Sequence, residues 1–324
     1  MHRRSFLARA PVAMTLGALP FRVAAQNQDW PTRPVRIVAP SAPGGSLDIL
    51  SRMFGKGLSE RLGQPFLVEN RSGSGGNIGF DAVAKSRPDG YTIMIASDPL
   101  AVNPSMFSKL PFDPLQDFAP IIMIATLSQV LAVNPKISAT TFAEFVAQAR
   151  TRPKGFTVGT SGNGSPGHLA VALMNQVGIP LVHVPYRGAG VALIDVVAGQ
   201  IDATIVTLPA TLGFIKQGQL RALAVSSSRR SRFSPDLPAM KEQVPTAVVD
   251  SWQAFFAPAG TPRDIILRLN AEFAGLLRTR EVVDSFESQA FEAGGGSPED
   301  LGRFLRDETT RWAPTIKAAG IRAD

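Results

Sequence analysis

From residue 35 onward, short β-type runs alternate with amphipathic helical runs, and that alternation admits few folds. A strand followed by a crossover helix and then another strand in the same sheet gives parallel pairing, so the pattern predicts an α/β architecture. Val35-Arg36-Ile37-Val38-Ala39 reads as the first strand, and Leu47, Leu50, Phe54, Leu58 and Leu62 then recur at the spacing of one helix face. Residues 65–69 and 91–96 read as further strands, separated by the turn Gly73-Ser74-Gly75-Gly76-Asn77 and a short helix. Thr141 and Glu144 form a capping box ahead of a helix that buries Phe142, Phe145, Val146 and Ala149. Strand–helix units follow at 156–177, 181–198 and 201–217, and residues 220–225 close the set as a strand.

Two stretches break the rhythm. Residues 121–133 are long, apolar and β-branched, and 252–257 form a second apolar run, so each can carry the chain between two lobes. The expected first lobe is discontinuous, 26–125 plus 250–324, and the second is 126–249. Two capped helices end the chain, one opening at Thr261-Pro262-Arg263-Asp264 and the other at Ser297-Pro298-Glu299-Asp300. A double connection acts as a hinge, and ligand sites favour the crevice at the carboxyl ends of parallel strands.

Residues 1–25 read as an export signal: Arg3 and Arg4, a short apolar run at 12–19, and the small residues Val23-Ala24-Ala25 before Gln26. The run is too short to span a bilayer. Arg3-Arg4-Ser5-Phe6-Leu7 resembles a twin-arginine signal, and the general secretory route stays open, with cleavage near Ala25 in either case. The chain carries a formal charge of +7, of which four bases (Arg3, Arg4, Arg9, Arg22) belong to the signal, leaving +3. That field is too weak to imply nucleic acid, and no basic stripe with interleaved aromatics is present. The cluster Arg229-Arg230-Ser231-Arg232 reads as a solvated loop. There is no cysteine, hence no disulfide, thiolate site or cysteine nucleophile. His168 and His183 have no partners at metal-ligand spacing, and no cofactor is expected.

Three polar, glycine-rich segments follow strands and precede helices: 40–48, 161–168 and 186–190. A helix start presents unpaired N–H groups and the positive end of the peptide dipoles, so such loops suit a carboxylate or phosphate. Asp48 can be read as a helix-start residue or as a ligand contact, and His168 likewise. Tyr186 and Arg187 offer an aromatic body and a guanidinium, both suited to an organic acid. Gly162-x-Gly164-x-x-Gly167 matches the dinucleotide fingerprint formally, but Pro166 occupies its fifth position and no acid follows at the required distance. Neither Ser161 nor Ser165 completes a nucleophile elbow, so an α/β hydrolase-like enzyme using Ser161, Ser165 or His168 is the alternative reading.

The motifs Ala-Pro-Gly-Gly-Ser-Leu-Asp (42–48), Val-Glu-Asn-Arg (68–71), Gly-Gly-Asn-Ile-Gly (75–79), Pro-Asp-Gly-Tyr-Thr (88–92), Gly-Asn-Gly-Ser-Pro-Gly-His (162–168), Val-Pro-Tyr-Arg-Gly (184–188) and Phe-Ala-Pro-Ala-Gly-Thr-Pro (256–262) resemble the Bug family, in order along the chain. These are extracytoplasmic receptors of tripartite tricarboxylate transporters. The resemblance implies a two-lobed periplasmic clam-shell of type II-like form, each lobe a mainly parallel sheet flanked by helices. It implies a monomer without enzymatic activity that passes a small organic carboxylate to two integral-membrane subunits. It also implies contacts from Ala42, Pro43, Gly44, Gly45 and Asp48 with Gly76 and Asn77, and from Thr160, Ser161, Ser165, His168, Tyr186, Arg187 and Gly188 on the second lobe. Ser41 stands where relatives frequently have an aromatic, and Val206, beside Thr207, where they often have Asp. Without that acid a buried ammonium would lack its partner, so the expected ligand carries carboxylate and no free amine.

Overall fold

A computed structural model of the chain describes residues 30–323, and the expected signal segment lies outside them. From Pro31 onward the chain packs as one unit. Its first third runs β1 (Val35–Ala39), α1 (Ser46–Leu62), β2 (Phe66–Asn70), α2 (Asn77–Ala84), β3 (Thr92–Ser97) and α3 (Pro99–Met106). The long strand β4 (Phe118–Val133) leads to α4 (Phe142–Thr151), β5 (Phe156–Thr160), α5 (Pro166–Gln176), β6 (Leu181–Pro185), α6 (Ala189–Ala198), β7 (Ala203–Thr207), α7 (Leu208–Lys216) and β8 (Arg221–Val225). Then come β9 (Asp250–Pro258), α8 (Arg263–Leu276), α9 (Arg280–Ser288), β10 (Glu292–Gly295) and α10 (Pro298–Ala318).

The strands form one mixed sheet in two halves, ordered β2-β1-β3-β9-β4-β7-β5-β6. β2, β1 and β3 are parallel, as are β6, β5 and β7, which is what the strand–helix alternation requires. The antiparallel strands lie between them. β4 pairs with β9 from Phe118↔Pro258 to Ser128↔Asp250, then with β7 from Gln129↔Thr207 to Val133↔Ala203. β10 and β8 also pair with β4, one on each side of that change. So the expected crossing at 121–133 is a single continuous strand.

Side chains lock the crossing point. Gln129 N–H donates to Ser226 Oγ at 3.2 Å, and Ser128 Oγ donates to Ser227 Oγ at 2.9 Å. Ser226 N–H donates to Gln129 O, and Val249 N–H to Ser226 O, each at 2.9 Å. These serines are buried and find protein partners, whereas Gln129 Nε2 beside them is buried without one.

Three elements escape the periodicity reading. α3 has a proline inside it, α9 buries only Val282 and Phe286, and β10 is a four-residue strand containing two glycines. One capping expectation is corrected. Thr261 does not cap α8; its hydroxyl donates to Pro258 O at 2.7 Å and Pro262 takes the cap position. The box at Ser297 and Asp300 is present. At α4, Thr141 Oγ1 accepts from Glu144 N–H as expected, but Glu144 returns its bond to Thr140 instead.

Phe54 of α1 lies fully buried among Phe255, Phe273 and Phe286, with ring centroids 5.6–6.3 Å apart, and so ties α1, β9, α8 and α9 together. In the other half Phe145 stacks on Phe156 at 4.6 Å. That cluster also takes in Trp312, Ile316 and Ile321, so the end of α10 and the residues after it pack with the second half of the sheet. Replacing Phe54 by Ala should destabilise the protein by about 3–5 kcal/mol, read as a lowered denaturation midpoint with an unchanged slope.

Candidate functional site

The loops after β1, β2, β3, β5, β6 and β7 all leave the carboxyl ends of parallel strands, where an α/β sheet places its crevice. A cavity of about 520 Å³ opens among three of them. The first half supplies Ser74, Gly75, Ser97, Asp98, Asn103 and Met106; the second supplies Ser161, Asn163, Gly164, Ser165 and Pro166. Its size lies in the range of small-molecule sites. Both α3 and α5 start on its wall, with prolines Pro99 and Pro166 at their first positions. A second, smaller cavity of about 280 Å³ lies beside the crossing point, between Ser128, Ser227, Arg229, Asp250 and Glu292. It receives no strand-end helix start, so the larger cavity is the better candidate for anion capture.

The polar residues of the loops hold the loops. Asp48 pairs with Arg52 at 2.9 Å and accepts Gly44 N–H and Asn70 Nδ2, both at 2.9 Å. The Arg52 bond, then the Gly44 N–H, hold its carboxyl down at about 2. Between its two readings, the structure gives Asp48 the structural one. Gly44 has φ +83°, a left-handed conformation that favours glycine. Ser41 Oγ is buried without a partner, and Gln253 on β9 reaches Ser46 at the start of α1, 2.8 Å away.

His168 and His183 stack face to face, centroids 3.6 Å apart and planes 9° from parallel. His168 Nδ1 accepts Gly164 N–H at 3.1 Å, and His183 Nε2 lies 2.7 Å from Thr160 Oγ1. Burial pushes both rings down to about 4, and in His168 the neighbouring ring adds to it, so the pair is neutral at pH 7. Ser165 caps α5 by accepting His168 N–H, and its hydroxyl donates to Gly162 O at 2.7 Å. Among the described residues no carboxylate orients His168 and neither serine is bonded to an imidazole nitrogen, so the hydrolase alternative finds no support.

Among the expected site residues, Ser161 and Ser165 line the cavity, and Gly76 and Asn77 adjoin it through Asn103, whose Nδ2 donates to Asn77 Oδ1 at 2.7 Å and to Gly75 O at 3.0 Å. The loop Ala42, Pro43, Gly44, Gly45 and the segment Arg187, Gly188 with Thr207 follow strand ends but do not line it. Three more of the expected residues have their side chains engaged within the protein. Thr160 is fully buried with its hydroxyl on His183. Tyr186 donates its hydroxyl to Asp195 at 2.7 Å and packs on the core beneath α6. Val206 is fully buried beside Leu193, Val196 and Leu220, so its side chain faces core and not ligand.

Sequence reasoning missed Ser97, Asp98 and Asn103. The signal was present: Ser97-Asp98-Pro99 ends a strand and opens a helix, as the three chosen loops do, without their glycines.

The family model for the tripartite tricarboxylate transporter family receptor matches residues 50–321. The chain belongs to that receptor family. Protein BugT of Bordetella pertussis is 36% identical to it over 321 residues, covering 98% of this chain and 96% of the relative. An R. palustris protein solved with adipate superposes with TM-score 0.80 at 37% identity, over 91% of this chain and 99% of the other. MatC from Rhodopseudomonas palustris with bound malate reaches 0.76 at 27% identity, over 89% of this chain and 100% of that one. This tripartite transporter receptor therefore has the periplasmic binding-protein fold. Among its described residues no helix is long and apolar enough to cross a membrane.

A neutral histidine pair gives a pH signature. The folded pKa of about 4 lies below the ordinary 6.5, so the unfolded chain takes protons first as pH falls. The stability from these rings is complete above 6.5 and is lost progressively down to about 4. The raised carboxyls of Asp98 and Asp250 act in the opposite sense over the same range, so the test is a difference: from pH 7 to 4 the thermal midpoint of the wild type should fall relative to that of a variant with both rings replaced by Phe, which keeps a stacked pair and removes its protons.

Proposed function

We propose that this receptor captures a small organic carboxylate without a free amine, in the cavity between the two halves of the sheet. The halves act as lobes, 26–125 with 250–324 and 126–249, that close about the crossing at Ser128–Gln129 and Val249–Asp250. The observation that carries the reading is the cavity itself: strand-end loops and helix starts from both halves meet there, and neutral donors take an anion without a dedicated cation. Relatives solved with adipate and with malate support the ligand class. The protein is an exported, monomeric receptor and not an enzyme, and it hands its ligand to two integral-membrane subunits. Its periplasmic location rests on the family and on the signal at 1–25.

The absence of an amine rests on the acids near the site. Asp48 is held by Arg52 and its own loop, Val206 supplies no carboxylate, and Asp98 on the cavity wall accepts from Ser251 and is pushed toward its neutral form by burial. A thermal-shift screen over matched acids, each with and without an α-amino group, tests this. The deaminated partners should stabilise the protein more, and scattering should show compaction with the acid that does.

Gly164 marks where the halves approach. It has φ +69°, and a Cβ there would lie 2.1 Å from Met106 Sδ on α3. Gly164→Ala should weaken capture at least tenfold by calorimetry, and adding Met106→Ala should restore part of it, because only the steric share of the loss is relieved.

A further inference from the structure

Asp98 lies where the cavity wall meets the crossing point. It lines the cavity beside Ser97 and Asn103, yet the residue is only 8% exposed. Its Oδ2 accepts a 2.7 Å bond from Ser251 Oγ, one residue into β9, so the same carboxyl touches the strand that enters the first half at the crossing. The groups facing it are few. From β9 come the Ser251 hydroxyl and Trp252 N–H; from α10 comes Glu308, a second acid, held by Arg311 at 3.0 Å and by the Trp312 indole N–H at 2.7 Å. Asp250, next to Ser251, is a third acid, which burial pushes up to about 6. No ion pair among the described residues reaches Asp98. Burial, reinforced by Glu308 and opposed by the Ser251 bond, pushes the Asp98 carboxyl up to about 7.

We propose that closure of the cleft on a carboxylate ligand loads a proton from solvent onto Asp98. This rests on the carboxylate-receptor reading above and deepens it. A buried acid without a cation has one inexpensive response to a second negative charge, which is to become neutral. Expelling water on closure strengthens the repulsion between two carboxylates and so favours the protonated form. One O–H bond forms on Asp98, the proton comes from the buffer, and no other bond changes. The neutral acid is then a donor, able to offer its O–H to an acceptor in the cavity. Linkage makes the effect reciprocal: whatever the ligand does to the proton, the proton does to the ligand.

The sign follows from the direction. An acid half-ionised at pH 7 takes up about half a proton on binding there, and close to one where it starts fully ionised and ends neutral. Affinity should therefore rise as pH falls through the neutral range, by up to about tenfold per unit. An ammonium-bearing ligand would act oppositely, favouring ionised Asp98 and releasing a proton.

Calorimetry of the mature protein with adipate and with malate, at pH 7.5 in phosphate and in Tris, separates these cases, because the two buffers release a proton with very different heats. The wild type should bind with a heat that differs between buffers in the sense of proton uptake. Asp98→Asn, which keeps an oxygen for Ser251, should bind with the same heat in both. A buffer-independent wild-type heat would overturn the proposal, and so would proton release. Uptake that persists undiminished in Asp98→Asn would overturn it in favour of Asp250. The wild-type comparison stands even if the variant folds poorly. Failure of adipate, malate and other simple carboxylates to bind at all, while amino acids bind, would instead sink the carboxylate reading.

Discussion

Backbone pairing along β4 fixes what the rest of the molecule can do. One strand carries both halves of the sheet, exchanging β9 for β7 between Ser128 and Gln129, where two serines of the β8–β9 connection bond across the change. Relative motion must be absorbed where the ladder partners switch, since elsewhere each step would break paired hydrogen bonds. The end of α10 adds a third link, because Trp312, Ile316 and Ile321 sit in the core cluster of the second half. Any movement between the halves would have to keep this apolar packing of α10 or expose it.

Much of this was legible because it follows from periodicity. The β1–α1 unit and the three strand–helix units after α4 each carry a run of apolar residues at one spacing, and parallel order follows from the crossovers. The elements that were not legible bury little or break the spacing: α3 contains Pro104, and β10 reads Glu-Ala-Gly-Gly. The candidate cavity was only partly legible at the level of loops, since 161–168 lines it and 40–48 and 186–190 do not. Glycine-rich turns marked two of the cavity's walls, while the third wall, Ser97-Asp98-Pro99, carries no glycine and passed unseen. Val206 shows the other limit. A position near a strand end alternates between faces, and sequence spacing alone did not settle that its side chain falls in the core.

The polar residues that stood out in the sequence turn out to serve one another. Asp48 holds Gly44, Asn103 holds Asn77 and Gly75, Ser165 holds His168, and His168 holds Gly164. Loops that must present backbone to a ligand need rigid shape, and a side chain bonded within its own loop supplies that rigidity. Of the three loops that composition singled out, only 161–168 lines the cavity, and its polar side chains are largely occupied within the loop itself.

The same economy governs charge. The stacked imidazoles are neutral at pH 7, Arg52 is committed to Asp48, and the exposed Arg187 does not line the cavity. Among the described residues that line it, the cavity therefore has no cation and one acid, Asp98. Neutral dipoles can solvate an incoming carboxylate, but they leave its repulsion with an ionised neighbour in place, and closing the cleft removes the water that screens it. A receptor for anions that keeps an acid on its wall must neutralise that acid in the closed state. A carboxyl already near its midpoint at neutral pH does so at little cost, whereas one held near 2, as Asp48 is, could not.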